Sequence, residues 1–181
     1  MKGFLLGLVM GVILVPVFVF GYFMSGSAPV ATAAPPMPFE RMLAGSALHA
    51  RIAREKPTTV PIAADEANYL AGAEVYRNNC AVCHGEPGGE QTAIAKGMFP
   101  EPPHLFRGMG VTDDEPGETY WKVANGIRLS GMPGFKPALS ETQMWQVSLV
   151  VAKADKLPDS VKRALDAAPA GPTNPQSAPA K

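Results

Sequence analysis

Cys80, Cys83 and His84 fall within five consecutive positions of the segment NNCAVCHGEPGG, Asn78 to Gly89, and no other cysteine occurs in the chain. A disulfide accounts for the two thiols and leaves His84 without a role. A thioredoxin-like redox pair belongs in a strand–helix–strand setting with its Cys-x-x-Cys at a helix start. Zinc takes about four ligands, and the chain supplies two cysteines. Cys-x-x-Cys followed at once by His is the attachment signature of a covalent haem, and it uses all three residues.

The elements that position these residues occupy only part of the chain. At 181 residues, with 16 basic against 16 acidic, there is room for one ordinary domain plus appendages, and the neutral balance argues against nucleic acid as a partner. Residues 4–24, FLLGLVMGVILVPVFVFGYFM, carry no charge and match the length of a membrane-spanning helix. A signal peptide cut after Ala33 is the alternative. The apolar run exceeds the roughly 7–15 residues of a signal core and ends well before that cut, which favours an uncleaved anchor over 1–24. Pro16 is tolerated in a membrane helix. Lys2, the sole charge before the run, favours a cytoplasmic N-terminus, with the remainder on the outer, periplasmic side of the inner (cytoplasmic) membrane.

Residues 25–38, rich in Ala and Pro, read as a semi-flexible tether. Residues 39–64 hold a short helix and a connector: Phe39, Leu43 and Ala47 recur every four residues with Met42 alongside, and Pro57 ends the pattern. This helix is expected to lie outside the main domain, with His49 on its surface. Residues 159–181 are expected to form a disordered Ala/Pro-rich tail, since so little apolar surface cannot offset the entropy of ordering it.

The remaining 65–158 shows three helical signals separated by Gly/Pro-rich loops and no strand-type alternation, so the fold class is all-α. The first helix, from Asp65 to about Asn79, places Gly72, Tyr76 and Cys80 at intervals of four and runs directly into the Cys/His segment. The second, near Glu118 to Asn125, stops at Asn125-Gly126. The third starts at Ser140 with a capping box to Gln143 and presents Trp145, Ser148, Leu149 and Ala152 along one stripe. Three short helices fill a core poorly, and a haem wedged among them supplies the missing apolar volume.

In this order, Gly72-Ala-Glu-Val-Tyr76, Cys80-Ala-Val-Cys83-His84-Gly85, Pro103-His-Leu105, Gly131-Met132-Pro133 and Trp145 resemble the sequence features of class I monohaem cytochromes c. The likeness covers residues 66–157; the N-terminal transmembrane helix makes it a membrane-anchored bacterial form. The resemblance implies a class I cytochrome c fold, three main helices and loops wrapped around one covalent haem c. It implies thioether bonds from Cys80 and Cys83, and His84 as one axial ligand of the iron. It further implies that the Pro103 carbonyl accepts a hydrogen bond from the His84 ring, that Leu105 packs on the haem, and that Trp145 crosses the first helix near Gly72 and Tyr76.

For the sixth ligand the domain offers Met98, Met109, Met132, Met144 and His104. Met144 falls in the third helix, and Met98 and Met109 lie close in sequence to the first attachment loop. Met132 sits in a Gly/Pro loop, where the backbone can approach a haem edge. His104 lies between Pro103 and Leu105, and neighbours on an extended segment point to opposite sides, so it is expected to face away. With His84 and Met132 both bound, the iron has no open position. The expected function is one-electron transfer, with redox proteins at the membrane as partners and no small-molecule substrate. The alternative is the cytochrome subunit of a larger membrane-bound oxidoreductase; a haem peroxidase would need an open iron.

Overall fold

The computed structural model describes residues 2–107 and 114–167, and every regular element among them is a helix. Two compact units, Met1–Ala44 and Gly45–Lys181, divide inside the second helix. In the first, α1 (Lys2–Met24) carries Pro16 in its interior, and its Gly3–Met24 stretch is long and apolar enough to cross a membrane by length and composition. Ser25 Oγ then turns back to donate to the Tyr22 carbonyl at 2.7 Å. Helix α2 (Glu40–Glu55) follows, its start held by the Glu40 carboxylate, which accepts from the Met37 N–H at 2.7 Å.

The second unit adds α3 (Glu66–Asn79), α4 (Ala81–His84), α5 (Ala93–Lys96), α6 (Pro116–Asn125), α7 (Glu141–Val151) and α8 (Asp159–Asp166). Local chemistry sets their ends. The Asp65 carboxylate accepts from the Asn68 N–H at 2.9 Å and opens α3. Pro116 occupies the first turn of α6, where its missing N–H costs nothing, and Gly126 takes φ 68° at the other end. Ser140 and Gln143 form both bonds of a capping box at the start of α7, 3.3 and 2.9 Å long.

Helix α3 is the hub, packing against α7 and α8, while α6 packs on α7. Ala73, Val75, Tyr76, Ala81, Val123, Ala124, Met144, Val147, Val150, Val151, Leu157, Val161 and Leu165 form the core cluster. The α3–α7 crossing depends on Gly72: a Cβ there would run into the Gln146 carbonyl and the Val150 side chain. A backbone carbonyl on a packed helix cannot swing aside. Gly72→Ala is therefore expected to destabilise the domain by about 2 kcal/mol or more, despite alanine's better helix propensity, as read by chemical denaturation. An unchanged denaturation midpoint would show that the crossing has slack.

At the crossing the Gln146 backbone and the Val150 side chain lie over Gly72, and Trp145, one residue before Gln146 on α7, stacks on Tyr120 of α6, ring centroids 4.1 Å apart and planes 15° from parallel. Two expectations differ from the structure. The pre-domain helix is partly integral to the domain, because the second compact unit begins at Gly45. Its stripe of Phe39, Met42 and Leu43 is exposed, whereas Ile52 is 2% exposed. Glu55 accepts from Trp121 Nε1 at 3.1 Å, Lys56 pairs with Glu115 at 2.8 Å, and the Pro57 carbonyl fills the space a side chain at Gly117 would need.

The second difference lies in 159–181. Residues 159–166 form α8, and Val161 and Leu165, four apart, are buried against α3. The segment needs no core of its own, because it adds two apolar side chains, each contributing about 1.5–3 kcal/mol, to a core already present. Residues 168–181, the rest of the expected tail, lie outside the described residues. His49 is exposed, as expected.

Candidate haem site

Cys80 ends α3 and opens α4. Its N–H donates to the Tyr76 carbonyl at 2.8 Å, and its own carbonyl accepts from the N–H groups of Cys83 at 3.0 Å and His84 at 2.8 Å. One tight turn thus carries both thiols and the imidazole, and neither thiol is in a disulfide. Burial, helped by the neighbouring Cys83, pushes the Cys80 thiol up to about 12. Gly85 closes the turn at φ 79°, and its carbonyl accepts from the buried Tyr76 hydroxyl at 2.7 Å. That bond explains the aromatic four residues before Cys80: it ties the helix to the far side of the motif.

His84 Nδ1 lies 2.8 Å from the Pro103 carbonyl oxygen. A carbonyl only accepts, so Nδ1 carries the proton and Nε2 keeps its lone pair. Burial holds the His84 pKa below its ordinary value, against the opposing pull of the Pro103 bond, so the ring is neutral near pH 7. The Leu105 N–H reinforces the contact by donating to the His84 carbonyl at 3.3 Å. Leu105, Phe106, Met132 and Cys80 are all part-buried against the core cluster.

Met132 comes from the loop between α6 and α7. Residues Ile127 and Met132 form an isolated antiparallel bridge, with the Ile127 N–H donating to the Met132 carbonyl at 3.1 Å. The Phe135 N–H bonds the Val123 carbonyl at 2.9 Å and pins the loop back on α6. Leu129 and Gly131 both adopt positive φ, 64° and 78°, which tightens the hairpin that presents Met132. The Met98 terminal methyl lies 2.5 Å from where a Gly131 Cβ would stand, so Met98 packs beside this loop. Met144 is 4% exposed within α7 and belongs to the core. Met109 lies outside the described residues.

His104 has both ring nitrogens engaged: Nδ1 accepts from the Phe106 N–H at 3.2 Å, and Nε2 faces the Gly89 carbonyl at 3.3 Å. Phe106, not singled out from the sequence, meets Tyr76 edge-on at a centroid distance of 4.9 Å and an angle of 87°. Its only sequence signal is an aromatic following Pro103-His-Leu105.

The residues fit a covalent haem. Two unbonded thiols and a neutral imidazole with a free Nε2 share one turn, and the apolar side chains of Leu105, Phe106 and Met132 lie in the adjoining part-buried layer. Among the described residues, no group of three or more His, Cys, Asp and Glu is arranged to hold a bare metal ion, so a zinc centre lacks its donors.

This fold and this turn define a small helical domain that carries haem through two cysteines. Residues 67–149 match the family described as cytochrome c oxidase, cbb3-type, subunit III. Over 87 residues, 48% of this chain and 93% of the relative, the sequence is 34% identical to cytochrome c6 of Limnospira maxima. The chain belongs to the cytochrome c family and has a class I monohaem domain with covalently bound haem c. A solved structure, the Kuenenia stuttgartiensis reducing HAO-like protein complex Kustc0457/Kustc0458, is similar with a TM-score of 0.40 and 20% identity, covering 54% of this chain and 48% of that one. The haem supplies one electron, reversibly, at iron, and the domain's function is haem-based electron transfer.

Proposed function

We propose that the protein is a membrane-tethered one-electron carrier of a bacterial respiratory chain, its haem held by Cys80 and Cys83 with His84 and Met132 as axial ligands. The observation that carries this reading is the shared layer: Met132, on a hairpin of its own, is part-buried against the same cluster as Cys80 and Leu105. Two protein ligands leave no position for a substrate, so the residues hold the iron rather than expose it. Pro103 fixes which His84 nitrogen is free, and Leu105 and Phe106 exclude water. The oxidised protein should be low-spin and should bind carbon monoxide poorly when reduced. A high-spin spectrum with rapid carbon monoxide binding would refute His/Met ligation and favour a peroxidase-like role.

The anchor rests on the uncharged Gly3–Met24 stretch of α1 and on Lys2 ahead of it, an arrangement that favours the haem domain on the periplasmic side of the inner membrane. The protein in its host is expected to stay in the membrane fraction through a carbonate wash, whereas a form starting near Gly45 behind a cleavable export signal should leave it and still carry haem. Release of the full chain by carbonate would end the anchor reading. A second reading, the cytochrome subunit of a larger oxidoreductase, is favoured by the match to a family described as an oxidase subunit. Purification from membranes in mild detergent separates the two: a stoichiometric oxidoreductase partner marks the subunit, and a lone haem protein the carrier.

A further inference from the structure

His104 is neither a ligand in the proposed centre nor a loose surface side chain. Its Nδ1 accepts from the Phe106 N–H at 3.2 Å, so that nitrogen is unprotonated and the proton sits on Nε2, which donates to the Gly89 carbonyl at 3.3 Å. The ring packs against Gly85, where a Cβ would stand 2.5 Å from its Cδ2 and Nε2. It therefore ties the strip after the attachment turn, Gly85 to Gly89, to the strip Pro103 to Phe106. The second strip carries the carbonyl that receives the His84 Nδ1 proton at 2.8 Å. Arg107 adds an exposed tie between the same strips, through Glu90 at 2.9 Å and the Gly88 carbonyl at 2.8 Å.

We propose that His104 is a positioning residue for the axial imidazole: held in one tautomer between Phe106 and Gly89, it keeps the Pro103 carbonyl on His84 Nδ1 and so sets how much electron density His84 offers the iron. The inference rests on His84 being an axial ligand. A firmly held carbonyl draws on the Nδ1 proton, makes the ring a stronger donor and favours Fe(III). Loosening it moves the balance toward Fe(II) and raises the potential.

The test uses the haem-loaded full-length protein and its His104→Ala, His104→Asn and His104→Gln variants. The readouts are the midpoint potential and the rate at which the His84 Nδ1 proton exchanges in heavy water, followed by NMR of the reduced form. His104→Ala should raise the potential and speed exchange by about tenfold, the factor carried by one ordinary hydrogen bond. Asparagine can keep the Phe106 bond and glutamine the Gly89 bond, so each should fall between alanine and the parent. These two variants also carry the test if alanine fails to load haem. Parent-like potential and exchange in every variant that loads haem would overturn the His104 role. The ligand reading has its own signature, since axial ring protons are strongly shifted by the haem; their absence from His84 in the parent protein would overturn both.

Discussion

Met132→Ala is expected to abolish the weak far-red sulfur-to-iron charge-transfer band of the oxidised protein and to lower its potential by on the order of a hundred millivolts or more, within the ~0.8 V that axial ligands command. The direction follows from ligand chemistry: a thioether favours the reduced iron, and water in its place does not. The emptied position should also admit cyanide and carbon monoxide. The fold should survive, because Met132 is only part-buried and its hairpin is pinned through the Phe135–Val123 and Ile127–Met132 backbone bonds. Met98→Ala and Met144→Ala should keep the band, the second with a stability loss of about 2–5 kcal/mol because that side chain lies in the core. His104→Ala should keep it as well. Loss of the band in Met98→Ala with Met132→Ala normal would move the ligand to the residue beside Gly131.

The second large effect concerns attachment. Cys80→Ala with Cys83→Ala is expected to leave no haem on the polypeptide after denaturing electrophoresis, where the parent stains for haem peroxidase activity in a host with cytochrome c maturation. Little folded domain should accumulate, because the protein core consists mainly of Ala, Val and Leu around one Tyr and one Met, and a domain this small needs the macrocycle's apolar area. Each single cysteine variant keeps one possible link and should show weaker stain. Stain lost from the parent on simple denaturation would mean that the haem is held without covalent bonds.

What could be read from the sequence was local in its physics. The Ser140–Gln143 capping box and the Asn125-Gly126 stop depend on residues a few positions apart, and the structure has both. The attachment turn was legible for the same reason, and the resemblance implied the Pro103 acceptor found at 2.8 Å from His84 Nδ1. The misreadings were tertiary. Trp145 lies on the expected buried stripe, but its stacking partner, Tyr120 of α6, is set by tertiary packing that the stripe does not show. Val161 and Leu165 are too few to signal a helix by themselves; they become one because Val75, Tyr76 and their neighbours leave a face to cover. In α2 the stripe pointed to Phe39 and Leu43, but the docking is made by Ile52, Glu55 and Lys56, two of them through polar atoms that hydrophobic periodicity does not register.

The Glu66 carboxylate accepts from the Ser160 hydroxyl across 94 positions of sequence, and the helix that Glu66 begins is the one that α7 and α8 bury. A chain made from its N-terminus thus releases α3 and the Cys80–His84 turn long before the elements that cover them exist. A lone 14-residue helix is marginal in water, so α3 depends for its stability on helices that come much later in the chain. Once α7 and α8 arrive, Gly72 locks against Gln146 and the Cys80 thiol becomes hard to ionise. Distance along the polypeptide thus separates the attachment turn from the helices that cover α3, and a chain truncated before α8 would leave the α3 face that Val161 and Leu165 bury without its cover.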